Sequence, residues 1–86
     1  MAHASLEPTG MVIPIALLPA GQSARVDQLL GAPEQVHRLE EMGLRRGAAI
    51  IMVQPGSPCI IGLAGCRLCF RESDAAAILV ETLEAA

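Results

Sequence analysis

The chain has no tryptophan, no tyrosine and no lysine, and its single aromatic residue is Phe70. Each absence removes a class of function. Modules that hold polyproline peptides need an aromatic-lined groove, which one phenylalanine does not build. Single-stranded nucleic acid is held by base stacking on aromatic rings along a positive groove, and duplexes by neutralising phosphates. Six arginines against nine carboxylates leave a formal charge of −3, so neither requirement is met and no nucleic-acid partner is expected. No apolar run approaches the ~18 residues of a spanning helix, which excludes direct membrane insertion by a helix. The opening MAHASLEPTG lacks the charge-flanked apolar stretch of a signal peptide, so the expected location is cytoplasmic. Three cysteines, an odd number, imply no structural disulfide in that compartment.

What is present is aliphatic. Hydrophobic residues make up 52% of 86 residues, enough for one small domain whose core is built from Leu, Ile, Val, Ala and Met. A domain this small is only marginally able to bury a self-sufficient core, and the high mean hydropathy points to apolar surface covered by another chain.

Residues 1–10, with Pro8 and Gly10 as breakers and no periodicity, read as a mobile tail, and 11–86 as the domain. A short apolar strand is expected over Ile13 to Leu18, ended by Pro19-Ala20-Gly21. Ser23 to Leu30 alternates, with Ala24, Val26 and Gln28 on one face and Arg25, Asp27 and Leu29 on the other. Pro33 suits a first helical position and Glu34 the positive end of the helix dipole, so a helix is expected from Pro33 to Met42. Three more strands are expected, Ala48 to Gln54, Cys59 to Leu63 and Cys66 to Arg71, the last two joined by a tight turn at Ala64-Gly65. Ser73 can cap a short helix through Ile78, and Leu79 to Leu83 reads as a closing strand or a continuation of that helix. The fold class is therefore mainly β, a small partly open β-barrel with one inserted α-helix and a short C-terminal helical turn.

The segment Arg38 to Gly47, RLEEMGLRRG, joins a helix end, a forced turn and a strand start. Val36, Leu39 and Met42 recur every three residues as one apolar stripe, while Glu34, His37, Arg38 and Glu41 line the polar side. Gly43 can adopt the left-handed conformation that ends a helix, folding Leu44 back onto Leu39.

In its setting this segment resembles the FeoA family of small accessory proteins of bacterial ferrous-iron transport. The resemblance begins at Leu17-Leu18-Pro19-Ala20-Gly21, runs through Arg25 to Leu29 and RLEEMGLRRG to Ile50-Ile51-Met52-Val53, and takes in Pro58, Gly65 to Arg71 and Ala76 to Glu81. It implies an SH3-like barrel and docking on the cytoplasmic GTPase domain of the FeoB transporter. The residues expected to carry docking are the exposed ones near the helix end, Arg38, Glu41, Arg45 and Arg46. The bland alternative for this basic spot is a solvated turn.

His37 lies three residues after Glu34 and four before Glu41, so one imidazole and two carboxylates can share a helical face. That donor set suits a divalent transition metal, Fe²⁺ or Zn²⁺, but leaves the coordination sphere open. A second copy could complete it, making a weak homodimer and a stand-alone metal-responsive regulatory module, the alternative function. A solvated helix face is the bland reading. His3, with a retained Met1, could wrap Cu²⁺ or Ni²⁺ through backbone amides, an arrangement that removal of Met1 destroys. Cys66 and Cys69 form a C-x-x-C, but positions three apart on a strand point to opposite faces, so Cys59, Cys66 and Cys69 read as fillers rather than ligands. No nucleophile-base pair, phosphate-cradling loop or dinucleotide fingerprint is present, so the chain is not expected to be an enzyme, and no cofactor is required.

Overall fold

The computed structural model describes residues 6–85. Its frame is a six-stranded antiparallel sheet: β1 (Leu6–Pro14), β2 (Ser23–Leu29), β3 (Ala49–Gln54), β4 (Cys59–Leu63), β5 (Cys66–Phe70) and β6 (Ile78–Ala85). The helix α1 (Pro33–Glu41) is inserted between β2 and β3, and the five-residue α2 (Glu72–Ala76) between β5 and β6. The strand order is β1-β6-β2-β3-β4-β5, so the last strand lies between the first two and β5 is an outer strand. Leu79 to Leu83 thus belongs to a strand rather than extending a helix.

Two expected boundaries move at the start of the chain. Leu6 to Gly10, read as tail, belong to β1, where β6 supplies the backbone partners that the irregular sequence does not advertise: Leu6 pairs with Ala85 and Pro8 with Leu83. The ladder then skips to Val12 opposite Glu81, an irregularity that accommodates the intervening residues. His3 lies outside the described residues. The strand expected to reach Leu18 stops at Pro14, and Ile15–Leu17 form a single 3-10 turn closed by the Leu18 N–H donating to the Ile15 carbonyl at 3.1 Å. This turn drops Ile15 and Leu18 fully into the core.

Strand β2 carries the most instructive departure. Val26 pairs with Val80 and Gln28 with Leu79, so Asp27 is the extra residue of a bulge. A bulge resets the two-residue alternation. Gln28 is therefore exposed, and Leu29 packs against the core with Ala24 and Val26.

The core lies against one face of the curved sheet. Val26, Ile50, Met52, Ile61 and Val80 supply alternate strand positions, closed off by Leu39 and Leu44 from the helix and its turn and by Phe70 and Ala75 near α2. No polar or charged residue among those described is buried. The β4–β5 turn runs through Ala64 and Gly65 at φ 51° and 82°, the paired positive values of a tight hairpin turn.

Among the cysteines, Cys59 is fully buried and Cys66 and Cys69 are exposed, all three free. Burial, and secondarily the charge of Cys69, push the Cys59 thiol above its ordinary range. A raised thiol pKa favours the folded state below the unfolded value of about 9 and withdraws that stability as the pH climbs through the folded value. Cys66 and Cys69 are expected to react with a thiol reagent in the native protein, and Cys59 only after denaturant is added. Three equally fast thiols would contradict the packing of β4.

Candidate functional site

The end of α1 is built by backbone hydrogen bonds. Met42 is the last near-helical residue, Gly43 takes φ 104°, the Gly43 N–H donates to the Glu40 carbonyl at 3.0 Å and the Leu44 N–H to the Leu39 carbonyl at 3.1 Å. This pair of bonds is the Schellman motif, and the accompanying apolar contact is that of Leu39 with Leu44, both buried. The helical stripe is narrower than its spacing suggests: Leu39 is buried, Val36 partly so, and Met42 is exposed.

The expected docking residues divide. Arg38 is tied to the fold while its side chain stays more than half exposed: its Nη2 lies 3.0 Å from Asp74 Oδ1 on α2, and the same oxygen accepts from Gln35 Nε2 at 2.9 Å. Asp74 thereby ties the two helices together, its side chain partly buried between them at 15% exposure. Ser73, expected to cap α2, lies inside it instead; Arg71 is the N-cap, its carbonyl accepting from the Ala75 N–H at 2.9 Å. Replacing Asp74 with alanine removes two hydrogen bonds to its carboxylate, one of them from a half-exposed arginine. It should cost roughly 1 kcal/mol and lower the melting temperature by roughly 4–8 °C. A thermal scan that leaves the midpoint unchanged would show the clamp to be idle.

Glu41, Arg45 and Arg46 are exposed around the helix end. Arg45 Nε donates to the Glu40 carbonyl at 3.4 Å, and neither Arg45 nor Arg46 has a carboxylate partner among the described residues. Arg45 shares a shallow hollow of about 340 Å³ with His37, Glu40 and Glu41. Arg46 lines another, of about 480 Å³, with Asp27, Val36 and Glu40.

His37 and Glu41 do meet, Nε2 to Oε2 at 3.6 Å, with both side chains about 70% exposed. Among the described residues no group of three or more His, Cys, Asp or Glu side chains is arranged to hold a metal ion, so Glu34 does not join this pair into a site. Two donors are half of a tetrahedral zinc sphere. The C-x-x-C does not supply the remainder: Cys66 pairs with Leu63 and Cys69 with Ile60 along the β4–β5 hairpin.

The sequence reasoning missed Asp74, whose partners lie 36 and 39 residues away, and it missed the outer face of β3. A signal for the latter exists. The run Ala48 to Val53 is apolar at every position, and a strand with one face in the core then presents Ala49, Ile51 and Val53 on the other.

A six-stranded antiparallel sheet curled around an aliphatic core without closing, with one helix inserted after β2, is an SH3-like, partly open barrel. The FeoA domain model matches residues 13–82, and the chain belongs to the FeoA family. An iron uptake regulatory protein, FeoA, known from a crystal structure is 28% identical with a TM-score of 0.78, over 84% of this chain and 99% of that one. The FeoA protein of Chlorobium tepidum is 30% identical with a TM-score of 0.74, over 81% of this chain and 70% of that one. FeoA of Stenotrophomonas maltophilia, solved in complex with zinc, is 27% identical with a TM-score of 0.72, over 88% and 98%. IdeR of T. acidophilum, at 22% identity and a TM-score of 0.77, shares the fold over 36% of its own length. No curated protein matches the sequence. The family is one of small accessory and regulatory proteins implicated in ferrous iron transport. Among the described residues no helix is long and apolar enough to cross a membrane.

Proposed function

We propose that this chain is a cytoplasmic accessory of ferrous iron transport that docks on the GTPase domain of a FeoB-type transporter and acts by binding rather than by catalysis. The observation that carries the reading is membership of the FeoA family over residues 13–82. The geometry supports it: the Schellman turn and the Asp74 clamp hold the end of α1 in one conformation, with Glu41, Arg45 and Arg46 exposed and Arg38 at its edge. A rigid surface that binds one conformation of a partner better than another shifts the partner's equilibrium by the difference in affinity. The docking residues are Arg38, Glu41, Arg45 and Arg46, with Arg45 and Arg46, which have no carboxylate partner among the described residues, facing an acidic surface.

The second reading, a metal-responsive module that takes Fe²⁺ or Zn²⁺ at His37 and Glu41 with a second copy completing the sphere in a weak homodimer, is favoured by the 3.6 Å approach of those two side chains and by the zinc complex of a relative. One calorimetric titration against the GTPase domain separates the two. Docking predicts binding with chelator present, weakened about tenfold or more by Arg45→Glu/Arg46→Glu and unchanged by His37→Ala. Binding that needs metal and is lost in His37→Ala overturns docking in favour of the metal module.

A further inference from the structure

A row of paired residues crosses four strands on the outer face of the sheet. Ser23 of β2 pairs with Ile51 of β3, Ile51 with Gly62 of β4, and Gly62 with Arg67 of β5. Side chains directly opposite one another in an antiparallel ladder share a face. The row therefore has a gap in its middle, where Gly62 carries no side chain. A Cβ built there would lie 3.0 Å from Ile51 Cγ2 and 3.9 Å from Val53 Cγ2, so these two residues lean over the space that the glycine leaves.

The result is an open groove of about 490 Å³ floored by Gly62, with Ile51 and Val53 on one side and Arg67 on the other. Across the hairpin tip it shares Ala49, Leu63, Ala64 and Cys66 with a second hollow of about 680 Å³, which reaches Met42 and Gly43 at the end of α1. The two hollows thus link the end of α1, at Met42 and Gly43, to the outer strand β5.

Ile51 remains 43% exposed and Met42 37% exposed, although both are large and apolar. Covering such a surface is favoured because it removes apolar area from water.

The charge pattern says what would cover it. Carboxylates outnumber basic residues nine to six in the chain, yet among the described residues none lines either hollow. Among the described residues the single charged one lining the pair is Arg67, which is exposed and has no ion-pair partner there. A guanidinium beside an uncharged groove selects a carboxylate and disfavours a cation.

We propose that this groove is a docking site for an apolar segment of a partner protein that bears a carboxylate, with apolar side chains laid over Gly62 against Ile51 and Val53 and the carboxylate paired to Arg67. The proposal rests on the docking reading above and specifies which face engages and what chemistry it selects.

The test uses the full chain labelled with ¹⁵N and two capped peptides rich in leucine and isoleucine, one carrying a glutamate and the other a lysine in its place. The glutamate peptide should bind about tenfold more tightly than the lysine peptide, moving the amide signals of Ile51, Gly62 and Arg67. Arg67→Glu, an exposed and unpaired position that leaves folding intact, should reverse the preference, and Ile51→Glu should weaken both. Equal affinities, no saturable shift, or shifts confined to β1 and β6 would overturn the proposal. Titrating the GTPase domain against the same variants separates this inference from the docking reading. Equal binding by wild type and Arg67→Glu removes the groove and keeps docking. A domain that fails to bind wild type while the peptide preference persists removes that partner and keeps the groove.

Discussion

Leu39→Asp is expected to abolish cooperative folding. Leu39 is 1% exposed and lies in the one contiguous core, between the sheet and the turn that carries Leu44. Deleting a buried leucine to alanine costs about 2–5 kcal/mol. Aspartate adds a carboxyl group in surroundings where no described polar or charged residue is buried, so no partner awaits it. A domain of this size has a total stability of roughly 4–13 kcal/mol, and the combined loss consumes most or all of it. Leu39→Met, which conserves volume, should cost less than about 1.5 kcal/mol. Far-UV circular dichroism during heating distinguishes the two. A soluble Leu39→Asp protein that still melts in one sharp transition would contradict the placement of this side chain.

Gly43→Val should be the most damaging substitution at a turn. Gly43 sits at φ 104°, a region that a β-branched residue enters only under strain, and the left-handed conformation alone costs an ordinary residue about 1–2 kcal/mol. A second cost is specific to this position: a Cβ there lies 3.0 Å from Leu63 Cδ2, where the helix end abuts β4. Overpacking of this kind typically costs about 1–3 kcal/mol, so the total is roughly 2–5 kcal/mol. Gly47 is the internal control. It too has a positive φ, 90°, but nothing lies within 4 Å of a Cβ placed on it. Gly47→Ala should pay the backbone strain only and Gly43→Ala both costs, so urea midpoints should rank wild type, Gly47→Ala, Gly43→Ala and Gly43→Val in falling order. Equal losses at Gly43 and Gly47 would show that Leu63 yields freely.

These two residues were legible in the sequence because their roles are local. A glycine following an apolar helical stripe and preceding a leucine specifies a cap whose bonds span six residues, and Gly43 takes the expected positive φ with Leu39 and Leu44 both buried. The Ala64-Gly65 hairpin and the strands on either side of it were legible for the same reason. What escaped depends on partners distant in the chain. The extra residue in β2 is visible only against Val80 and Leu79, more than fifty positions away, and it exchanges Gln28 for Leu29 at the core. The start of β1 is ordered by β6, the other end of the chain. Arg38 reads as a free surface cation until Asp74 is brought beside it. The candidate site divides in the same way: exposure of Glu41 follows from helical spacing and that of Arg45 and Arg46 from the turn after Gly43, whereas the groove exists because Gly62 falls opposite Ile51, which only the strand register determines.

The most direct test of the account is an amide-resolved NMR titration of the full chain with the GTPase domain of a FeoB-type transporter, in the presence of a metal chelator. Docking predicts saturable shifts that cluster at Glu41 to Arg46 and continue through Ile51, Gly62 and Arg67. An absence of shifts, or shifts that arise only after metal is restored and centre on His37, would contradict it.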